Sequence, residues 1–344
     1  MKKTIIITLS SAAIILLGFA SFMISKNADD IDVTTENDNI IYLDKIKTLP
    51  HDMTVWSEDG QSDITPAAWK VIGPNGNTIY MCGTMHALKS ECYPLPDYIK
   101  EAYEQADVLA VETDITDMSA MVSDEPEWRL PKNLNSKDTL ENHISDITYA
   151  KMKAYLEKND GNIDTFESFM PWYAYKNLNT VQNYLGECDA SIGLERILEI
   201  SANIDGKEVL PIETKQSRAE LDCSYSEELL DLLINKQCGM TDEERAAETD
   251  NNYNAWKNGD MEAIYELSYH SLTDYFGAEV QPLENEYNRL MLTDRNKVMY
   301  EKAKELIDSD TKTLLAVGTA HFVGDDGIIA LLEKDGYTCE IMNN

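Results

Sequence analysis

The sequence predicts an α/β protein, a mixed β-sheet core surrounded by many helices with a helical insertion, preceded by an N-terminal hydrophobic segment. Three observations carry this. Short apolar runs at Thr78–Met81, Val108–Val111, Val209–Ile212 and Thr313–Val317 alternate with helical patterns, as in a sheet built through crossover helices. Each run leads into a polar group: Gly83-Thr84-Met85-His86, Glu112, Glu213 and Gly318-Thr319-Ala320-His321. Residues 115–260 are mostly helical in pattern and are expected to insert between two halves of the sheet.

The chain opens with different material. Lys2 and Lys3 precede the uncharged run Thr4–Ile24, and Lys26 follows it. A run of that length can span a bilayer, so residues 1–26 read as a signal peptide or, preferably, a retained signal-anchor. The lysines keep the N-terminus cytoplasmic and place the rest outside, anchored in the membrane or secreted after cleavage. Residues 27–67 are acidic and aperiodic and read as a linker, and residues 68–344 as the folded domain.

Within the domain, Trp69–Ile72 and Thr78–Met81 flank Pro74-Asn75-Gly76-Asn77, the signature of a hairpin turn. Asp97 caps a helix to Ala106 that places Tyr98, Ala102 and Tyr103 on one face. Ile115–Leu134, with Pro126 and Pro131, reads as a loop. Helices follow at Tyr149–Leu156, from Pro171 to about residue 185, and at Leu194–Ala202. Ser226–Ile234 is another, and Thr241-Asp242-Glu243-Glu244 forms a capping box for one running through Trp256 to Gly259. The last long helix, Leu283–Ile307, carries an apolar stripe of Leu292, Met299, Ala303 and Leu306 on which Arg295 and Asn296 also fall. A polar pair on a buried stripe needs partners.

Composition sets limits. The 344 residues are 43% hydrophobic and 26% charged, an ordinary globular balance. With 62 acidic against 29 basic residues, the net charge of -33 repels nucleic acid and anionic membrane surfaces. The six cysteines show no CxxC spacing, and in an exported chain pairs among them are candidates for disulfides. Cys82, beside Gly83 in a strand, reads as a small core residue.

In open α/β sheets ligands bind beyond the carboxyl ends of the strands, and His86, Glu112, Glu213 and His321 are all placed there. Two histidines and a carboxylate are the ligand set of a catalytic metal site with one position open for water. In that reading His86, Glu112 and His321 hold a divalent metal (manganese, cobalt or zinc). Glu213 takes a proton, and Arg295 and Asn296 position substrate or stabilise an oxyanion. A histidine oriented by a glutamate can also activate water without a metal.

Tyr80–Asp114, Ala255-Trp256-Lys257-Asn258-Gly259-Asp260, Asp294-Arg295-Asn296 and Leu315–Tyr337 together resemble the TraB/GumN family. That family is grouped with TIKI-type metalloproteases, erythromycin esterases and haem-binding ChaN proteins. The resemblance covers nearly all of Trp69–Met342. It implies a mixed α/β sheet with many helices, with His86 and His321 as motif histidines and Glu112 as their acidic partner. Ile212-Glu213-Thr214 matches the family's pattern, but Arg218 stands where a glutamine is usual. The function expected from residues and resemblance is an exported, metal-dependent peptidase acting on extracytoplasmic peptides. The alternatives are a protein that sequesters peptide or haem without turnover, and a metal-free histidine-based esterase.

Overall fold

The computed structural model describes residues 33–35, 41–43, 46–50, 53–57, 62–117, 130–182, 188–309 and 311–343. The hydrophobic segment Thr4–Ile24 lies outside them, as do much of the expected linker and residues 118–129 of the expected loop. Among the described residues no helix is long and apolar enough to cross a membrane. Strands β1 (Val33–Thr35) and β2 (Ile41–Leu43) pair antiparallel with each other.

Six strands make the main sheet: β3 (Ala68–Ile72), β4 (Thr78–Thr84), β5 (Val108–Val111), β6 (Glu208–Pro211), β7 (Thr313–Gly318) and β8 (Thr338–Ile341). Their order is β6-β5-β7-β4-β3-β8. The four from β6 to β4 run parallel, and β3 is antiparallel to both β4 and β8. This makes the predicted mixed α/β sheet. Parallel strands covered on both faces read as unbroken apolar runs, which is why β5 and β7 are visible in the sequence. Leu314–Val317 are fully buried. The β3–β4 turn is the predicted one, with Gly76 at φ 85.

Helix α1 (Asp97–Gln105) carries the chain from β4 towards β5, with Pro96 at the N-cap and Asp97 one position inside, where its charge faces the helix N-terminus. Between β5 and β6 lie α2 (Asp146–Lys158), α3 (Pro171–Gln182) and α4 (Leu194–Asp205). After β6 come α5 (Lys215–Asp222), α6 (Glu227–Gly239), α7 (Asp242–Lys257), α8 (Met261–Tyr269) and α9 (Ser271–Phe276). Helices α10 (Gln281–Asn288), α11 (Asp294–Asp308) and α12 (Ile328–Lys334) complete the set.

One sheet face packs Cys82, Leu109, Val111 and Leu314 against α1, α4 and Trp256. The opposite face packs Val71, Met81, Ala110 and Leu315 against Met299, Ala303 and Leu306 of α11 and Leu332 of α12. A third core joins α2, α3 and α6 with Leu272 and Leu290. The helical lobe is therefore drawn from both sides of β6 and reaches past residue 260, rather than forming one insertion. Part of the expected linker packs against the domain: Val55 and Ile64 are buried, and Trp56 stacks on Tyr103 at 4.9 Å. The expected single helix Leu283–Ile307 is interrupted by a π-helical turn, Arg289–Thr293. Cys82, Cys92, Cys223, Cys238 and Cys339 carry free thiols.

Candidate active site

The carboxyl ends of β4, β5, β6 and β7 meet at one edge of the sheet. Parallel register puts Thr84 opposite Gly318 and Val111 opposite both Ala316 and Pro211, so residues just past these strands become neighbours. The two Gly-Thr-x-His tetrads are in direct contact. Thr319 donates its hydroxyl to the Thr84 carbonyl at 2.9 Å, and a Cβ on Gly83 would lie 2.6 Å from that hydroxyl. Trp256, from the Ala-Trp-Lys-Asn-Gly-Asp stretch, donates its indole N–H to the Gly83 carbonyl at 2.9 Å.

Arg295 gathers the carboxylates. Its Nε and Nη2 donate to the two oxygens of Glu213 at 2.6 and 2.9 Å, and Nη2 also donates to Glu112 Oε2 at 2.7 Å. Its Nη1 donates to the Met291 carbonyl, at 3.0 Å, inside the π turn. All three side chains are at least nine-tenths buried. Burial lowers the proton affinity of Arg295, but the two carboxylates outweigh it and hold the guanidinium charged. Its directional donors are committed to these partners, so the polar residue on the buried stripe is an ion-pair hub.

Glu112 Oε1 accepts from the Gly318 backbone N–H at 2.9 Å and lies 3.4 Å from His321 Nε2. Burial pushes the Glu112 carboxyl up, yet the hydrogen bond and charge of His321, with Arg295 and His86 beyond, hold it well below the usual range. His321 is buried, and its Nδ1 donates to Asn296 Oδ1 at 2.6 Å. The amide nitrogen of Asn296 donates to the Asp326 carbonyl, which fixes the amide and with it the tautomer of a neutral ring: N–H at Nδ1, lone pair at Nε2.

His86 has a partner that sequence reasoning missed. Its Nδ1 sits 3.0 Å from Glu195 Oε2; the imidazole is 69% exposed, whereas Glu195 is 2% exposed. The hydrogen bond to Glu195 pushes His86 up to about 9. Burial pushes Glu195 up as well, more than its bond to His86 brings it down. Gly193 lets α4 start here, because a Cβ would lie 2.1 Å from the His86 carbonyl oxygen. Glu195 and Glu199 lie one turn apart in a stretch, Leu194–Ala202, that is buried throughout. Two acids among Leu194, Ile197, Leu198 and Ile200 were the available signal. Arg218, on α5, was also passed over as a site residue; its Nε is 4.0 Å from Glu213 Oε2.

The expected metal ligands do not form a shell. His86 faces Glu195, while Glu112 gives its oxygens to Arg295, Gly318 and His321. Among the described residues no group of three or more His, Cys, Asp or Glu is placed to hold a metal ion.

The carboxyl edge of the mixed sheet of this α/β protein carries two histidine–carboxylate pairs, His86–Glu195 and His321–Glu112, the second joined to a buried arginine hub. The model of the TraB/PrgY/gumN family matches residues 67–341, and the chain belongs to that family. Neither the curated proteins nor the solved structures yield a match.

Proposed function

We propose that the chain is a hydrolase of peptide bonds in extracytoplasmic peptides, working by acid–base catalysis between its two histidine–carboxylate pairs. The observation that carries this reading is His86, an exposed imidazole held at Nδ1 by the buried Glu195, in the same crevice as the buried Glu112–His321 pair. Two titratable pairs whose surroundings push their proton affinities apart divide the acid and base roles between them. Water attacks the carbonyl carbon as its proton passes to the His321 Nε2–Glu112 pair. The tetrahedral centre then expels the amine, which takes its proton from His86 Nε2, and the C–N bond breaks.

Glu213 and Arg295 hold Glu112 ionised, and Asn296 fixes the His321 ring; these are positioning roles. No step runs through a divalent metal, because His86 faces Glu195 and the Glu112 oxygens are shared among Arg295, Gly318 and His321. Placement outside the cytoplasm, anchored or released, rests on Lys2, Lys3 and the Thr4–Ile24 run.

The test is cleavage of a mixture of unstructured peptides by the full chain, read by mass spectrometry with and without a chelator. Turnover is expected to survive chelation and to fall about 100-fold or more in His86→Gln and in Glu112→Gln. Activity that vanishes on chelation and returns with manganese, cobalt or zinc would overturn the metal-free route. A Soret band on adding haem, with no peptide cleaved, would overturn the hydrolase.

A further inference from the structure

We infer that Arg218 is a specificity residue that binds a carboxylate of the substrate, so that the preferred substrates are peptides with a free carboxylate close to the bond cleaved. This deepens the hydrolase reading and rests on it.

The argument starts from which cations in the crevice have donors left. Arg295 is largely committed: four of its five N–H groups go to Glu213, the Met291 carbonyl and Glu112. Arg218 is the contrasting case. Thr214 and Ser217 form a capping box that fixes the first turn of α5 directly after Glu213, which places Arg218 beside the hub. Among the described residues its ion-pair contact is a long one, 4.0 Å from Nε to Glu213 Oε2. Those two Glu213 oxygens already accept from Arg295 at 2.6 and 2.9 Å. Arg218 Nη1 is out of reach of solvent and has no hydrogen-bond partner among the described residues. A buried guanidinium N–H without an acceptor is costly, and a bound ligand oxygen removes that cost.

The surroundings say where the ligand lies. The charge of Arg218 is felt at His86, at Tyr225 and at Tyr287. It therefore lies within electrostatic reach of His86 and of the Tyr225–Tyr287 ring pair, whose centroids are 6.5 Å apart. The side chain as a whole is 29% exposed, so a ligand meets the guanidinium from its open side and rotation of the side chain brings the enclosed Nη1 to it. A planar fork with free N–H groups is matched to a carboxylate, which accepts two parallel bonds. In a chain of net charge -33, a guanidinium left over from ion pairing at the proposed site also gives an acidic substrate a point of attraction against the general field.

The experiment compares N-acetyl-trialanine with its uncharged carboxamide, using the full chain and its Arg218→Gln and Arg218→Lys variants. Binding is followed by calorimetry, and KM and kcat are measured for both peptides. The parent is expected to bind the acid at least about tenfold tighter than the carboxamide. Arg218→Gln removes that preference, with the loss read in KM, and Arg218→Lys keeps part of it, which shows that the crevice survives substitution. Equal affinity for the two peptides in the parent, or none for either, overturns the inference. So does a preference that persists in Arg218→Gln, or a fall in kcat shared by both peptides, which would make Arg218 an oxyanion donor instead. If neither peptide is cleaved yet the acid binds tighter, the hydrolase reading falls and the role of Arg218 stands.

Discussion

Replacing Arg295 with methionine isolates the hub. The side chain keeps an unbranched apolar stem and loses its charge, leaving Glu112 and Glu213 buried without their shared cation; they are 7% and 9% exposed. Breaking a buried ion pair from one side costs about 3 to 5 kcal/mol, because the remaining charge stays out of water uncompensated. The pH dependence gives this cost a signature. In the parent Glu112 is held well below its ordinary 4.5, so its contribution is present above that pH and is lost as pH falls through the lower folded value. In the variant burial still raises Glu112 and only His321 and His86 still lower it, so its carboxyl titrates higher than in the parent and contributes less stability once ionised. The gap between parent and variant is therefore widest at pH 7 and narrows as the carboxyl is protonated in acid. Urea unfolding followed by tryptophan fluorescence at pH 7 and pH 4 measures it. A variant as stable as the parent at pH 7, or a gap that does not change with pH, refutes the reasoning. Adding Glu213→Gln to the variant recovers part of the loss, since the two sites are coupled.

Two further outcomes follow from the geometry. In Glu195→Gln, His86 loses the partner that raises it from 6.5 to about 9. Because the ring is 69% exposed, solvent already screens part of that interaction, and a downward move of about 1 to 2 pH units is expected when the His86 Hε1 resonance is titrated by NMR; an unmoved titration sinks the pairing. Gly193→Ala brings a Cβ to 2.1 Å from the His86 carbonyl oxygen and is expected to cost about 3 kcal/mol or more by thermal unfolding, whereas Gly206→Ala, at φ 70 in open space, costs about 1 kcal/mol; equal costs would refute the close approach.

The sequence showed some parts of this protein better than others, for physical reasons. Strands β4, β5 and β7 are buried on both faces and leave runs with no polar interruption, so they and the residues after them could be read directly. Strand β8 is an edge with an exposed, mixed Thr-Cys-Glu-Ile sequence and leaves no period to find. Glu195 was missed because it sits on a helix, one residue after its start, and not at a strand end. Its role comes from the approach of Gly193 to His86, a contact between segments far apart in sequence. Arg295 and Asn296 stood out as polar residues on an apolar stripe, but the stripe could not say that their partners were Glu112, Glu213 and His321. The π turn before them was invisible because Arg289–Thr293 has the same apolar spacing as the helices on either side.

Strand β7 is the seventh strand in sequence, yet it lies between β5 and β4 in the sheet. Until it is made, β4 and β5 have no hydrogen-bonded link, and the two Gly-Thr-x-His tetrads cannot meet. Long-range pairing of this kind is slow to form and leaves strand edges open while it waits. The candidate site is thus keyed to the end of synthesis: a chain cut short before Thr313 carries His86, Glu112, Glu195 and Glu213 but lacks β7, the Gly318 N–H and His321. The proposed peptidase would in this way be inert while it is itself an unfolded peptide.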